Sequence, residues 1–380
     1  MVINSISVSH FFDGDVFHYN KTLSIEQGII TQIDDISPAN DKVYQGLLVP
    51  GYIDLQVNGG GGALFTQDPT LACLKQMSLS HQTFGTTSML PTLISDRIAI
   101  MEQGANAISQ AIKQKLLGIV GVHFEGPHLS IDKKGAHNAD FIRPLNEKDM
   151  ALYTRQDLGK VLVTLAPESV SLAQVSELKA AGVTLALGHS NCHFNTAQQY
   201  FNAGVTGATH LFNAMSALKA REPGLLGAAL MNDDVFASLI VDGQHVHEQL
   251  CHLALKLKPE GKLFLITDAM SPVGSTEKQF NLSGKKVTLS NGQLRSETGE
   301  LAGSVLDMAS AVRNVHQRLK SPLAKALRMA STYPAQFIGL NHLGQLKPGY
   351  QANMVLLDKQ SLTVMANWIA GNNVYSSLRS

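Results

Sequence analysis

Residues 118–128 read GIVGVHFEGPH, an apolar run that ends on the carboxylate of Glu125 and is followed by Gly126 and Pro127. Three later segments have the same form, an apolar run with a polar side chain at its end: VTLALGHSN (183–191), VTGATHLFN (205–213) and KLFLITDAM (262–270). Short apolar runs of this length are typical of buried strands. The pattern predicts four strands that bring their last residues to a common mouth: Glu125, His189, His210 and Asp268.

The middle of the chain alternates strand and helix over its whole length. Besides the four segments above, strand candidates are GYIDLQVNG (51–59), TTSMLPTL (86–93), VLVTLAPE (161–168) and FASLIVDGQHV (236–246). Between strands lie helical patterns such as VSLAQVSELKAAG (170–182), which Ser169 or Ser171 can cap and Gly182 can end. Eight such units predict a (β/α)8 barrel over residues 51–344, with catalytic groups at the carboxyl ends of its strands.

Both ends of the chain look all-β. Residues 1–50 and 345–380 alternate apolar and polar residues between glycine-containing turns, so we expect the termini to pair into one small β-sandwich domain. A β-hairpin flap is expected near residues 275–300, where NLSGKKVTLSNGQLRSETGE follows the eighth strand.

Composition restricts the classes of function. The 380 residues carry no formal net charge, which argues against a nucleic-acid partner but not against a small anionic ligand. Three widely spaced cysteines, Cys73, Cys192 and Cys251, form no disulfide framework, which favours a reducing compartment. Neither a signal peptide nor a run long enough to span a bilayer is evident, so a soluble, cytoplasmic protein is expected, with no membrane partner.

The four strand-end residues suggest metal-assisted hydrolysis. Glu125, His189 and His210 make a three-ligand set that leaves one position open for water, as in catalytic zinc sites. Asp268 is then free to move protons. This ligand chemistry favours zinc, with iron, cobalt and manganese as alternatives. The first strand offers Gln56 and Asn58 where a second metal would need a His-x-His pair, which predicts one divalent ion per subunit.

Three polar loops contain candidate substrate-binding residues. His137 could polarise a carbonyl or hold a hydroxyl. Outside these loops, Gln56 of the first strand could form hydrogen bonds with the substrate. Asn213 and Ala214 follow the sixth strand. Arg221 together with His245 would make a good anion site, because arginine presents a two-pronged donor to phosphate. Taken singly, each of these residues could also be an ordinary surface or capping residue.

At these residues the sequence resembles the amidohydrolase superfamily, and within it the family of N-acetylglucosamine-6-phosphate deacetylases. The similarity covers nearly the whole chain. Its most specific segments are HFEGPH followed by GAHN, and HLFNAM followed by REPG. Further segments are PGYIDLQVNGGGG, GTTSMLPTLI, LGHSNC, VDGQHVH, TDAMSPVG and GQLKPGYQANMVLLD.

The resemblance implies roles for individual residues. It implies that Glu125, His189 and His210 hold a single divalent metal, and that Asp268 is the acid/base. His137 would contact the sugar near the scissile amide, and Asn213 and Ala214 would meet the substrate. Leu301, Ala302 and Gly303 would line the pocket from the side of the flap. Arg221 and His245 would bind the 6-phosphate, in a homodimer in which Arg221 reaches the neighbouring subunit's site.

The predicted function is hydrolysis of the acetamide of N-acetylglucosamine 6-phosphate, a phosphosugar, to glucosamine 6-phosphate and acetate. One alternative is another amidohydrolase acting on a related N-acyl amino sugar or a cyclic amide. Such cyclic-amide enzymes usually need two metals bridged by a modified lysine, where this chain has Glu125. A second alternative is a non-catalytic sugar-phosphate sensor, which would be expected to lose a metal ligand or the acid/base.

Overall fold

Eight parallel strands form the central barrel of the protein. The computed structural model describes residues 2–37 and 42–378. The barrel strands, numbered one to eight below, are Tyr52–Val57, Thr86–Ile94, Gly121–Glu125, Lys160–Leu165, Thr184–Leu187, Gly207–Ala208, Phe236–Leu239 and Leu263–Leu265. Each pairs with the next in parallel, and a bridge between Val57 and Ala269 brings the last strand back to the first. The predicted (β/α)8 architecture is therefore confirmed.

Helices cover the outside of the barrel, as buried parallel strands require. The α-helices are Leu71–Gln82, Ile98–Lys113, Glu147–Tyr153, Leu172–Ala180, Phe194–Ala203, Gly224–Met231, Glu248–Leu257, Met308–Arg313, Leu323–Ala330 and Thr332–Phe337. Short 3-10 helices are Ile131–Lys133 and Ala139–Phe141, and a π-helical turn is Asn314–Arg318. In the described part of the chain, none of these helices has the length and apolarity needed to cross a membrane.

The helix after strand four shows how local sequence sets an element's ends. Leu172–Ala180 begins at Ser171, whose hydroxyl accepts from the backbone N–H of Gln174, while the Gln174 side chain accepts from the backbone N–H of Ser171. This reciprocal capping box satisfies two backbone donors that a helix start leaves free. Gly182 follows the helix with a φ of 85°, a conformation in which glycine has no side chain to strain.

The two termini form a single seven-stranded sheet beside the barrel. Its strands are Ser5–Phe12, Phe17–Glu26, Ile29–Asp35, Val43–Pro50, Met354–Leu357, Val364–Ile369 and Asn372–Ser376. The ends of the chain meet where Met354–Leu357 runs antiparallel to Val43–Pro50. Residues from both termini, among them Phe11, Leu48 and Trp368, share a core separate from that of the barrel. Pairing of the termini into one β unit is confirmed, and the exact domain boundaries stay a prediction.

A three-stranded antiparallel flap follows strand eight. Its strands are Gln279–Leu282, Lys285–Ser290 and Gln293–Ser296, one more than the predicted hairpin. Two-residue turns with positive φ at both positions, Ser283–Gly284 and Asn291–Gly292, join them. The inner face of the flap packs on the barrel mouth through Leu282, Val287 and Leu294. The flap thus covers one side of the place where the strands end.

Candidate active site

The three predicted metal ligands converge on one point at the mouth of the barrel. Oε1 of Glu125 lies 3.2 Å from Nε2 of His189 and 2.9 Å from Nε2 of His210, and the two nitrogens are 3.0 Å apart. All three side chains are buried. These three residues form the cluster of potential metal-binding groups found among the described residues. The sequence-based prediction that strands three, five and six deliver them together agrees with this geometry.

The hydrogen bonds and charges around the three residues suit a cation. The ring nitrogen Nδ1 of His189 donates to the backbone carbonyl of Lys133 at 2.8 Å, so the lone pair of Nε2 faces the cluster. Burial alone would raise the pKa of Glu125, but the adjacent imidazoles outweigh it and hold that pKa well below its usual range. A carboxylate and an imidazole lone pair aimed at one point are the donor set of a divalent metal site. The residues present therefore fit the metal that the ligand pattern implies.

Backbone strain is concentrated at the site. His189, His210 and Asp268 have φ values of 48°, 34° and 52°, a left-handed region that costs energy for residues with a side chain. The sequence pattern predicts these three as the last residues of their strands, but each lies two or three residues beyond the strand's end, because a left-handed residue cannot continue the ladder. Strain of this kind persists where the surrounding structure enforces it. The left-handed backbone turns all three side chains towards the axis of the barrel.

Asp268 lies beside the ligand cluster and accepts two side-chain hydrogen bonds. Its Oδ1 accepts from Nδ2 of Asn58 at 2.7 Å and from Nε2 of Gln56 at 3.2 Å. Burial, followed by the negative charge of Glu125, raises the pKa of Asp268 to about 6. A carboxyl group with a pKa near neutrality can both take up and release a proton, which is the requirement for a general acid and base.

Gln56 and Asn58 lie where a second metal would need ligands. Nε2 of Gln56 also donates to Oε1 of Glu125 at 2.9 Å, so the two amides direct N–H groups at the site's two carboxylates. An amide nitrogen that donates a proton has no lone pair to offer a cation. Gln56 is buried beneath the carboxylates and does not line the cavity above them. The arrangement supports one metal rather than two.

His137 comes from the polar loop after strand three and reaches the same cluster. Its ring packs edge-on against that of His189, with centroids 4.6 Å apart, and its Nε2 is 4.0 Å from Oε2 of Glu125. Burial, then the nearby His189, lowers the pKa of His137 to about 3, so the ring is neutral at physiological pH. A neutral imidazole cannot repel a cation next to it, but it can donate one hydrogen bond.

A cavity of about 210 Å³, partly open to solvent, lies above these residues. Its lining contains most of the predicted substrate-binding residues: His137, Asn213, Ala214, His245, Leu301, Ala302 and Gly303. The apolar side chains of Ile94, Met270 and Leu282 are also part of the lining. Sequence patterns gave no sign of these three, because each looks like an ordinary core residue.

Two predicted phosphate ligands lie in different surroundings. The side chain of His245 is 8% exposed, and its Nδ1 donates to Oδ2 of Asp242 at 2.7 Å. Asp242 was not singled out from the sequence, although its place in the Asp-Gly turn before His245 was visible. Arg221 is exposed and lies outside the lining of its own cavity. Among the described residues that line this cavity, none is a lysine or an arginine.

Comparisons with known proteins point in the same direction as the geometry. The Amidohydrolase family model matches residues 47–377. An N-acetylgalactosamine-6-phosphate deacetylase of Shewanella sp. (strain ANA-3) is 47% identical over 336 residues, which are 88% of this chain and 85% of the relative.

Two solved structures have closely similar folds. The crystal structure of N-acetylglucosamine-6-phosphate deacetylase from Pasteurella multocida has a TM-score of 0.93 at 31% identity and covers 97% of this chain and 99% of its own. An aspartate-to-alanine mutant of the Mycobacterium smegmatis deacetylase was solved in complex with N-acetyl-D-glucosamine-6-phosphate. It has a TM-score of 0.91 at 27% identity, and the match covers 98% of this chain and 99% of the mycobacterial chain.

Proposed function

The chain belongs to the amidohydrolase family, and we propose that it is a metal-dependent deacetylase of N-acetylhexosamine 6-phosphates. The observation that carries the proposal is the convergence of Glu125, His189 and His210 at one point, with Asp268 beside them. A non-catalytic sensor would not need a buried carboxyl group poised for proton transfer. A two-metal enzyme for cyclic amides would not fit the amide donors of Gln56 and Asn58. Two of the comparison proteins carry the N-acetylglucosamine-6-phosphate name, which supports the predicted substrate.

The reaction we propose converts the acetamide of the substrate and water into a free amine and acetate. A divalent cation held by the three ligands would supply a water molecule of lowered pKa and a Lewis acid for the carbonyl. Asp268 takes a proton from the attacking water and later delivers it to the amine nitrogen, which cannot leave as an anion. His137 donates a hydrogen bond to the carbonyl oxygen, where negative charge develops.

The sugar itself could be glucosamine or galactosamine, which differ only in the configuration at C4. We propose N-acetylglucosamine 6-phosphate as a substrate. A second candidate, N-acetylgalactosamine 6-phosphate, is favoured by the name of the 47% identical relative. Acetate release should be measured with both phosphosugars and with their unphosphorylated parents. Metal-loaded protein that releases no acetate from either phosphosugar would refute the proposed function.

One divalent ion per chain is expected, and we propose zinc, with iron, cobalt or manganese as the alternatives. The reason is that the N–H groups of Gln56 and Asn58 occupy the place of a second ligand pair. Metal analysis of active protein should give about one ion per chain, whereas a Gln56→His, Asn58→His double variant should bind more than one when zinc is supplied in excess. Two tightly held ions in the unaltered protein would contradict this prediction.

We also propose a homodimer whose partner completes the phosphate site. The cavity offers the imidazole of His245 but no lysine or arginine among its described lining residues, whereas a phosphate is best held by an arginine. Arg221 is exposed on the loop after strand six, so it is available to another subunit rather than to its own cavity. A soluble protein of the cytoplasm, where sugar phosphates occur, is consistent with this proposal.

Arg221→Ala should raise KM for the 6-phosphate substrate by about 10- to 100-fold, because a charge-assisted contact of this kind contributes about 1.5–3 kcal/mol. Activity on the unphosphorylated sugar should barely change. The matched control is Arg155→Ala, because the guanidinium of Arg155 pairs with Asp157 in the turn before strand four. Equal losses on both substrates would remove Arg221 from the phosphate site.

Mixed dimers test whether the arginine acts in trans. Subunits with Arg221→Ala and subunits with Asp268→Asn are each impaired for different reasons. In a mixed dimer, one site contains an intact Asp268 and receives an intact Arg221 from its partner. Recovery of activity on mixing is therefore expected, and a fully active monomer would contradict the shared site.

A further inference from the structure

Ser95 is the first residue after barrel strand two, and it is fully buried. It contacts the ring of His137 through two groups. Its Oγ lies 2.8 Å from Nδ1 of His137, and its backbone N–H donates to that same Nδ1 at 3.3 Å. Ser95 lies at the end of strand two, next to the end of strand three, where Glu125 lies.

The backbone contact decides where the proton of the His137 ring sits. A backbone N–H can only donate, so Nδ1 must present its lone pair, and in a neutral imidazole the proton is then on Nε2. The Ser95 hydroxyl consequently donates to Nδ1 as well. Nε2 faces the metal ligands, 4.0 Å from Oε2 of Glu125, which is too far for a hydrogen bond. This N–H is therefore available to a bound substrate.

The glycine after Glu125 makes room for this contact. Gly126 has a φ of +81°, and a Cβ atom added to it would collide with Oγ of Ser95. The turn that ends strand three thus leaves space for the serine while it places Glu125 at the cluster. Ser95 and Glu125 lie side by side because Ile94 and Glu125 are partners in the parallel ladder of strands two and three.

We propose that Ser95 is a positioning residue for the deacetylation: its hydroxyl and backbone N–H hold His137 as the tautomer with the proton on Nε2, aimed at the carbonyl oxygen of the substrate. This inference rests on the proposed function. It makes His137 a hydrogen-bond donor to the developing oxyanion and excludes it as the base that activates water, because its lone pair lies on Nδ1, where it accepts from Ser95 and points away from the substrate.

A double-mutant cycle on kcat tests whether Ser95 acts through His137. Ser95→Ala should lower kcat about 10-fold, since the backbone N–H still favours the same tautomer. His137→Ala should lower kcat by about 10²- to 10³-fold, as removal of an oxyanion donor does. The double variant should be no slower than His137→Ala alone, whereas independent losses that multiply would overturn the proposal. Ser331→Ala is the matched control, since Ser331 is equally buried but its hydroxyl donates to the carbonyl of Leu327 in the preceding helix, away from the cavity lining.

The tautomer can be measured without any activity. Protein labelled with [15N]histidine and loaded with Zn²⁺ should show the His137 signals of a protonated Nε2 and an unprotonated Nδ1, assigned by their loss in His137→Ala. Ser95→Ala should shift these signals towards a mixture of tautomers, and Ser95→Thr should restore them. A proton on Nδ1 in the unaltered protein would overturn the proposal. If the unaltered protein hydrolysed neither phosphosugar, the proposed function would fail, but these spectra would still decide the tautomer.

Discussion

Replacing Asp268 with asparagine should lower kcat by about 10²- to 10⁴-fold while the protein keeps its metal. The exchange preserves the shape of the side chain, and the oxygen of the new amide can still accept from Asn58. What it removes is the ability to take a proton from water and return it to the leaving nitrogen. Because an amide anion is too poor a leaving group, loss of the proton donor affects the chemical step directly.

The measurement is kcat for acetate release, together with the metal content and the melting temperature of each variant. KM for the phosphosugar should stay within a few-fold of its original value, because binding of the phosphate and of the ring does not depend on this carboxyl group. Asp157→Asn is the control, since Asp157 pairs with Arg155 in the turn before strand four. An asparagine variant of Asp268 with near-normal kcat, at unchanged metal content, would remove Asp268 from proton transfer.

The arrangement of Asp268 also explains how one residue can serve as both base and acid. Burial and the charge of Glu125 raise its pKa, whereas the hydrogen bond from Asn58 lowers it. A divalent cation at the cluster would neutralise part of the Glu125 charge and so favour the ionised form before attack. Once the proton has been taken up, burial favours the neutral, protonated carboxyl group, which keeps the proton available for the leaving nitrogen.

The barrel and its four key residues could be predicted because their signals are local. Each is an apolar run followed by one polar side chain, and the geometry of a parallel barrel brings the carboxyl ends of all strands together. His189 and His210 are 21 residues apart in the chain, yet their strands are neighbours, so the order along the sequence already gives the order around the barrel. Nothing beyond strand periodicity was needed to place them at one mouth.

The contacts between loops could not be predicted in the same way. Ser95 and His137 are 42 residues apart, and their hydrogen bond depends on the path of a loop without repeating structure. The left-handed backbone of His189 and Asp268 could not be located from the sequence either, because histidine and aspartate adopt this conformation more often than most residues but still at only a few of their positions. The sequence-based prediction made Gln56 a substrate contact, whereas the structure places it under the carboxylates, a depth that alternation along a strand does not encode.

Removal of a metal ligand should abolish activity altogether. In His189→Ala, Glu125 and His210 remain as two ligands, which is too few to fix a catalytic metal, so metal content should fall to near zero and activity below about 1% of the original. Chelation of the unaltered protein should have the same effect, and added Zn²⁺ should reverse it. The measurement pairs metal analysis with acetate release at increasing Zn²⁺ concentrations.

Thermal stability gives this last prediction a second readout that does not depend on turnover. A cation that binds only the folded chain stabilises it by an amount that grows with the logarithm of the cation concentration relative to Kd, so Zn²⁺ should raise the melting temperature of chelated, unaltered protein. Added Zn²⁺ should leave the melting temperature of the His189→Ala variant nearly unchanged. His342→Ala is the control, because His342 is exposed, contacts Tyr350 and lies outside the cavity lining. If His189→Ala retained one ion and normal turnover, Glu125, His189 and His210 could not be the metal ligands. The convergence of these three side chains would then need another explanation.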